Sequence, residues 1–322
     1  MTNSQIMRIL FILPLIVAVQ FQSFTQRIAF KTVEKDLFCE GIAHDSLSGK
    51  FFLSSMHKNK IVQIINGKTT DFIKTNQHGF VGGVGLHVDN KRRILWACSG
   101  NIMGKYCRTG IFAFDLKTKK LLKKVFFGKD TSQRLFNDIV IAQNGDIYVT
   151  NTLNHSVWKW NLKMNKPIKL PILSEMKYAN GITISENNKY LFVATNEGLK
   201  RINLSNNESE LIKMPITEIN AKGLDGIAFL KNSIIGVQND VKDNSSIKLN
   251  RYYLNEAFNE ITKVEIIDTN NKYFDVATTF VLVNNQLFLL ANSQMDNLDQ
   301  EKLSVKDSNK MKETIILKYE IH

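Results

Sequence analysis

The chain has 322 residues, of which 43% are hydrophobic, so it can bury a sizeable core and is not typical of a disordered protein. Its formal net charge is +12 at pH 7, from 42 Lys and Arg against 30 Asp and Glu. The lysines are scattered in short groups without an aromatic platform or a basic helix. We therefore interpret the charge as a solvated Lys-rich surface and expect no nucleic-acid partner.

The N-terminus is typical of a secretory signal peptide. Arg8 precedes an uninterrupted apolar run, Ile9–Val19, and polar residues follow it. The run is too short to span a bilayer, which takes about 20 residues, so a retained membrane anchor is only the second interpretation. We predict a signal peptide over residues 1–26, cleaved between residues 19 and 26, and a single domain over residues 27–322. The mature protein is then exported, periplasmic or secreted, without stable membrane insertion.

A unit of about 45 residues recurs along the mature chain. It is clearest in three segments, Phe136–Asn151, Tyr178–Asn196 and Gly223–Asn239. In the first segment, Asn144-Gly145 separates two alternating apolar runs, which is the strongest short-range signal for a β-hairpin. Asn137, Asn180 and Asp225 occupy equivalent positions, 43 and 45 residues apart. Strand hairpins repeating at this interval are typical of the blades of a β-propeller.

Six copies of the unit can be found. The first begins at Glu40, the second and weakest is Gly82–Asn101, and the sixth is Phe274–Gln294. We therefore predict an all-β fold, a six-bladed β-propeller of four-stranded antiparallel blades.

The two chain ends are predicted to close the ring, because closure removes the exposed edges of an open sheet. Arg27–Lys35 should join a blade with Phe274–Gln294 and Glu313–Ile321. Met295–Lys312 is charged and has no β pattern, so we predict a surface loop there.

Residues that begin the first strand of each blade should converge on the central tunnel. Glu40, Asn137, Asn180 and Asp225 begin such strands in four of the six copies. Two carboxylates in a narrow tunnel repel each other unless a cation lies between them, and an oxygen-only ligand set favours a hard divalent ion. We predict that these four residues bind a divalent metal ion, Ca²⁺ first, with Mg²⁺, Mn²⁺ or Zn²⁺ as alternatives. Each residue can instead cap a turn.

The second strand of each blade returns to the same face, so its last residues should surround the mouth of the tunnel. Polar groups there suit a small oxygen-rich substrate. Together with Arg134, which precedes the third blade, they form the predicted substrate-binding set: His57, Arg134, Asn151, Asn196, Asn239 and Asn292.

The chain has three cysteines, an odd number. Cys98 and Cys107 could close a disulfide in an oxidising compartment. We interpret Cys39 as a small buried hydrophobic residue.

Four segments resemble the SMP-30/gluconolactonase/LRE-like family of six-bladed propellers: EGIAHDSLSGKFFLSS, FNDIVIAQNGDIYVTN, YANGITISENNKYLFVAT and GLDGIAF. The phrases Asn-Asp-Ile-Val and Ala-Asn-Gly-Ile are also similar to the related paraoxonase-type lactonases. The resemblance implies that Glu40, Asn137, Asn180 and Asp225 bind a catalytic calcium or similar ion. Lactonases of this family often carry an Arg two residues before the Asn of the third blade, whereas here Arg134 lies three residues before Asn137.

The function we expect is that of a metal-dependent hydrolase acting on a lactone or a related ester. The metal would polarise the carbonyl and activate water, and Asp225, if it is not only a ligand, would be the catalytic proton-transfer group. The alternative is a non-catalytic, metal-stabilised propeller that binds a small ligand or a protein at its upper face. We expect a monomer with a small-molecule partner.

Overall fold

The computed structural model describes residues 20–21, 26–103, 106–130, 132, 134–214, 219–239, 247–299, 302 and 304–321. The predicted signal peptide therefore lies almost wholly outside the described residues. Two described strands begin within its predicted span, β1 (Gln20–Phe21) and β2 (Gln26–Lys31).

Six sheets, each with four antiparallel strands as its basis, form the molecule. Blade 1 contains β3 (Cys39–Asp45), β4 (Lys50–Ser55), β5 (Lys60–Ile65) and β6 (Lys68–Ile73). Blade 2 contains β7 (Gly83–Asp89), β8 (Ile94–Met103), β9 (Tyr106–Asp115) and β10 (Leu121–Asp130). Blade 3 contains β11 (Phe136–Ile141), β12 (Ile147–Asn151), β13 (Ser156–Trp160) and β14 (Ile168–Lys169).

The second half of the chain repeats the pattern. Blade 4 contains β15 (Ile182–Ile184), β16 (Tyr190–Thr195), β17 (Gly198–Asn203) and β18 (Ser209–Leu211). Blade 5 contains β19 (Leu224–Phe229), β20 (Ser233–Gln238), β21 (Lys248–Leu254) and β22 (Ile261–Thr269), with β1 added parallel to β22. Blade 6 contains β23 (Phe280–Val283), β24 (Gln286–Leu290), β27 (Ile315–Glu320) and β2.

The inner strands contact one another in ring order, β3, β7, β11, β15, β19 and β23, and β23 returns to β3. In blade 6, β2 pairs with β27 and β27 pairs with β24, all antiparallel. The predicted six-bladed propeller, closed by its N- and C-terminal strands, is therefore confirmed.

The hydrophobic core lies between neighbouring blades, because each strand buries alternate side chains on the two faces of its sheet. Between blades 2 and 3, Trp96 packs edge-on against Trp160, with 5.8 Å between ring centroids. Between blades 1 and 2, Phe72 lies between Phe52 and Phe114. Each such side chain contributes about 2–3 kcal/mol through burial, so the blades are held to each other mainly by apolar contact.

The segment between β24 and β27 differs from the predicted surface loop. It contains 3₁₀ turns at Met295–Asn297 and Ser308–Lys310, and a short hairpin of β25 (Leu298–Asp299) and β26 (Ser304–Val305). Met295, Leu298 and Met311 are buried against Phe38 and Val276. We call residues 295–312 the cap. Its three anchors are buried by residues outside the cap, which is why the sequence pattern did not reveal their burial.

The suggested disulfide is not formed. Cys98 lies opposite Ile111 in the β8–β9 pair and Cys107 lies opposite Ile102, so the two cysteines are not cross-strand neighbours. Cys39 is fully buried, as expected of a small hydrophobic residue. In the described part of the chain, no helix is long and apolar enough to cross a bilayer.

Candidate functional site

A cavity of about 280 Å³ opens at one end of the central tunnel, and all four predicted metal ligands line it. Glu40 comes from blade 1, Asn137 from blade 3, Asn180 from blade 4 and Asp225 from blade 5. The propeller thus brings together residues spread over 185 positions of the sequence.

β-Bulges at the start of the inner strands place three of these side chains. The pairing register of β3 with β4 shifts between Cys39 and Gly41, around Glu40. The same shift occurs around Asn137 in blade 3 and around Asp225 in blade 5. A bulge turns one side chain out of the regular alternation, and bulges are frequent beside active sites. Each of these residues is thereby released from the sheet toward the tunnel.

Glycines next to the ligands keep this part of the tunnel narrow. A Cβ atom on Gly41 would lie 2.2 Å from the Val84 carbonyl oxygen of blade 2, and one on Gly181 would lie 2.2 Å from the Asp225 carbonyl oxygen of blade 5. No larger residue fits at either position without moving the backbone. In the sequence, Glu40-Gly41, Asn180-Gly181 and Asp225-Gly226 therefore each combine a polar group with a close contact to the next blade.

The side-chain amide of Asn137 is oriented by its hydrogen bonds. Its Nδ2 donates to Thr152 Oγ1 at 3.0 Å, and Thr152 donates its only proton to the Ala179 carbonyl at 2.7 Å. Thr152 must therefore accept from Asn137, which assigns Nδ2 to that side. The Oδ1 atom remains as the Asn137 group able to bind a cation.

Two amides hold Asp225. Asn239 Nδ2 donates to Asp225 Oδ2 at 2.9 Å and to the Ala277 carbonyl at 2.8 Å. Because a carbonyl only accepts, this pair of bonds identifies Nδ2. Asn180 also donates a side-chain hydrogen bond to Asp225. The carboxylate is thus fixed in direction before any ligand arrives.

In the described part of the chain, neither carboxyl group has a cationic partner. Among the described residues, no Lys, Arg or His lines this cavity. Burial and the nearby charge of Asp225 raise the pKa of Glu40 well above its usual range. Burial also raises the pKa of Asp225 to about 7; the hydrogen bonds from Asn239 and Asn180 oppose this shift, and the charge of Asp138 adds to it. Both groups are therefore destabilised as carboxylates in the protein alone.

These features fit a divalent cation. A bound cation would relieve the repulsion between Glu40 and Asp225, and the free Oδ1 of Asn137 would add an amide oxygen. Such a site would depend on amide oxygens as well as acids, since the described residues contain no group of three or more His, Cys, Asp or Glu able to hold a metal. The donor set is the one that Ca²⁺ prefers.

One wall of the cavity is apolar. Met56, Val84, Leu135, Val276 and Met295 line it beside the polar groups. Met295 belongs to the cap and is 8% exposed. An apolar wall lowers the local dielectric, which strengthens hydrogen bonds and ionic contacts made inside the cavity.

Of the six predicted substrate-binding residues, Asn239 lines the cavity and the other five do not. Asn151 and Asn292 are buried and bind backbone groups: Asn151 Oδ1 accepts from Leu135 N at 2.9 Å, and Asn292 Oδ1 accepts from Ile315 N at 2.6 Å. Asn196 is exposed at the end of β16.

His57 and Arg134 contact aromatic rings. The His57 ring packs edge-on against Phe38, with 5.6 Å between centroids. The Arg134 guanidinium stacks over Phe127 at 4.3 Å and over Trp158 at 5.6 Å, on the outer part of blades 2 and 3. The structure thus places the displaced arginine away from the tunnel.

Three residues that sequence reasoning did not select belong to the tunnel. Asn101 and Thr278 line the same cavity as the ligands. Asp138 follows Asn137 and accepts hydrogen bonds from Ile182 N at 3.0 Å and Ile139 N at 2.8 Å, tying blade 3 to blade 4. Burial raises the pKa of Asp138 to about 6. The Asn137-Asp138 pair was the one available signal for Asp138.

Comparison with solved structures agrees with the fold. A gluconolactonase from Xanthomonas campestris superposes with a TM-score of 0.58 at 10% identity, over 89% of this chain and 87% of that one. A regucalcin from Agrobacterium tumefaciens, described as a calcium-binding protein, has a TM-score of 0.59 at 14% identity, over 95% and 96% of the two chains. The chain has the fold of the SMP-30-type propellers.

The same fold also carries other activities. A PQQ-bound aldose sugar dehydrogenase from Streptomyces coelicolor has a TM-score of 0.61 at 12% identity, over 94% of this chain and 99% of that one. No protein-family model and no curated protein matches the sequence. Function must therefore be argued from the site.

Proposed function

We propose that the protein is a metal-dependent hydrolase of lactones or related esters, with its active centre in the cavity of Glu40, Asn137, Asn180 and Asp225. The observation that carries the proposal is the pair of half-buried, mutually repelling carboxyl groups, Glu40 and Asp225, in a cavity that no cationic side chain of the described residues lines. A protein gains nothing in stability from such a pair by itself, so the arrangement points to a bound cation.

Glu40, Asn137, Asn180 and Asp225 would hold the ion, with calcium the first candidate and magnesium, manganese or zinc as alternatives. When bound, a divalent ion polarises an ester carbonyl and lowers the pKa of water.

Asp225 is suited to accept a proton from the attacking water. Asn239 and Asn180 fix its direction, and one carboxylate oxygen at the edge of a site can orient water while the other remains hydrogen-bonded. Glu40, from blade 1, would supply the second negative charge that balances the charge of the ion. The apolar wall of Met56, Val276 and Met295 excludes bulk water from the reacting bond.

The test is metal analysis of the purified full-length protein, combined with assays of δ-valerolactone, glucono-δ-lactone and phenyl acetate with and without a chelator. The proposal expects about one divalent ion per chain and turnover of at least one of these compounds that the chelator abolishes. Protein that binds no divalent ion at millimolar concentration would contradict both the site and the mechanism.

One observation favours a second function, a non-catalytic propeller that binds a small ligand or a protein at this face. Arg134, the nearest candidate for the arginine common in lactonases of this type, is stacked on Phe127 and Trp158 outside the cavity. A chain that binds the ion tightly and gains stability from it, yet hydrolyses none of the three compounds, would support this second function.

Export and a monomeric state belong to the same proposal. The apolar run Ile9–Val19 behind Arg8 supports a signal peptide. N-terminal sequencing of the protein recovered from outside the cytoplasm should give a first residue between 20 and 27, and sedimentation should give a single species of one chain.

A further inference from the structure

Asn101 lies at the end of β8 and is the residue that blade 2 supplies to the polar side of the cavity. Blade 2 has the apolar Val84 where other blades carry a ligand. Its second strand, β8, instead runs on to Asn101, which is only 4% exposed. The cavity thus receives a polar side chain from blade 2 by a different route.

The orientation of the Asn101 amide is fixed by Arg108, its cross-strand neighbour in β9. Arg108 Nε donates to Asn101 Oδ1 at 3.1 Å. Because a guanidinium can only donate, the atom facing Arg108 must be the oxygen. The other amide atom, Nδ2, is therefore a hydrogen-bond donor and cannot bind a metal ion.

That donor lacks a partner among the residues that the structure describes. Within the described residues, Asn101 Nδ2 is buried and makes no hydrogen bond. Buried polar groups are nearly always paired, so an unpaired one on a side chain that lines a cavity is a candidate contact for a ligand. Thr278 in the segment leading to β23 shows the same feature, since its buried Oγ1 also lacks a partner among the described residues. Blades 2 and 6 flank blade 1, so the two unpaired groups come from either side of the blade that carries Glu40.

We propose that Asn101 is a substrate-binding residue, whose Nδ2 donates a hydrogen bond to the carbonyl oxygen of the substrate, and that Arg108 is its positioning residue. This inference rests on the proposed hydrolase function. The hydrogen bond from Arg108 to Oδ1 polarises the amide and makes Nδ2–H a stronger donor, because hydrogen bonds in a chain reinforce one another. As charge develops on the carbonyl oxygen during attack by water, this donor stabilises it.

The main test compares Asn101→Leu and Asn101→Asp with Asn250→Leu in the full-length, Ca²⁺-loaded protein. Asn250 is a matched control, because it is also fully buried with an unpaired amide atom but lies in β21, away from the cavity. The Asn101 variants should lose about 100-fold in kcat/KM for the lactone or ester that the wild type hydrolyses, mostly in kcat. Asn250→Leu should keep the wild-type value. Equal turnover by wild type and Asn101→Leu would overturn the proposal.

Two binding measurements separate this inference from the proposed function. Ca²⁺ affinity, measured by calorimetry, should be the same in Asn101→Leu and wild type; a large loss would make Asn101 a metal ligand and overturn the assignment. Binding of δ-valerolactam, an uncleaved carbonyl compound, should weaken about 10-fold in Asn101→Leu. This second measurement decides the role of Asn101 even if no lactone is hydrolysed. Lactam binding that is undetectable in the wild type, or unchanged in the variant, would refute it.

Arg108 is tested by rescue. Arg108→Leu removes the donor that orients Asn101 and should lower kcat by about 10-fold while leaving Ca²⁺ affinity unchanged. Arg108→Gln retains an N–H donor and should recover part of the loss. A purely structural role predicts equal loss of thermal stability in both variants and no difference in kcat between them.

Discussion

Two carboxylates of the propeller, Asp45 and Asp225, have opposite surroundings. Asp45, at the end of β3, is 2% exposed and accepts hydrogen bonds from Arg93 Nη1 at 2.5 Å and Nη2 at 2.6 Å. Ser48 and the backbone N–H of Leu47 complete its bonding. Although burial raises the pKa of Asp45, these bonds lower it well below its usual value. Asp225, in the tunnel, faces Glu40 and has a raised pKa.

In this chain, a carboxylate with a structural role, such as Asp45, is paired with an arginine. Arg93 belongs to blade 2 and Asp45 to blade 1, so their ion pair joins two blades at the turns between their first and second strands. The same chain, rich in Lys and Arg, places none of them at Glu40 or Asp225 among the residues that line the cavity. The chain has a net charge of +12, so basic side chains are abundant. Their absence from the residues that line the cavity distinguishes a binding site from a structural contact.

The largest effect is expected for Asp225→Asn on turnover. The substitution keeps the shape of the side chain but removes its ability to take a proton, so kcat should fall by about 100- to 10,000-fold. Steady-state kinetics on the substrate identified for the wild type measure it. In the metal-free protein the same variant should unfold at a temperature equal to or above that of wild type, since a repelled charge is removed. Retained turnover would assign Asp225 to metal binding alone.

Asp45→Asn should have the opposite profile. Loss of the carboxylate leaves Arg93 without its partner, which should cost about 3 kcal/mol in the free energy of unfolding. Turnover per folded molecule should be unchanged. Urea unfolding checks the first expectation, with exposed Asp296→Asn as a control that should stay within about 0.5 kcal/mol of wild type. If Asp45→Asn is as stable as wild type, the ion pair with Arg93 does not stabilise the fold.

Calcium should stabilise the wild type. At a concentration 100 times its dissociation constant, an ion that binds only the folded state adds about 2.7 kcal/mol, or roughly 5–10 °C in Tm for a chain of this size. Glu40→Gln should lose most of this shift, whereas exposed Glu208→Gln should keep it. Differential scanning calorimetry measures both; an equal shift in the two variants would place the ion elsewhere.

The smallest effect concerns pH in the metal-free protein. Because the pKa values of Glu40 and Asp225 are raised on folding, the folded state holds more protons than the unfolded chain above pH 4.5, and stability should fall as the pH rises from 6 to 8. Burial lowers the pKa values of His44 and His87, which opposes this trend near pH 6. The comparison should therefore be made between wild type and Asp225→Asn, which share both histidines. The wild type should lose about 1 kcal/mol more than the variant over this range.

Most of the architecture could be predicted because strand alternation and Asn-Gly turns are local signals. The heads of the inner strands followed from the repeat, since equivalent positions in equivalent blades meet at one axis. The roles of the residues at the ends of the second strands could not be predicted in this way. An Asn that binds backbone, such as Asn151 or Asn292, looks the same in sequence as Asn239, which holds Asp225.

Asn101 was missed for a related reason. The strand β8 continues past Ser99 to Met103, so Asn101, two positions after Ser99 and on the same face of the strand, lines the cavity. Strand length past the last apolar residue depends on pairing with β9, which no local signal shows. The burial of Met295 in the cap likewise depends on Phe38, which lies near the other end of the chain.

The way blade 6 is assembled sets the order in which the molecule can fold. Thr32 N donates to the Thr314 carbonyl at 3.0 Å, and Thr314 N donates to Thr32 Oγ1 at 3.1 Å, a contact between residues 282 positions apart. Bringing such distant segments together carries a high loop-closure entropy, and folds dominated by distant strand pairs form slowly. The ring cannot close until the last strand, β27, has been synthesised. Until then β2, whose neighbour in the sheet is β27, lacks its native partner.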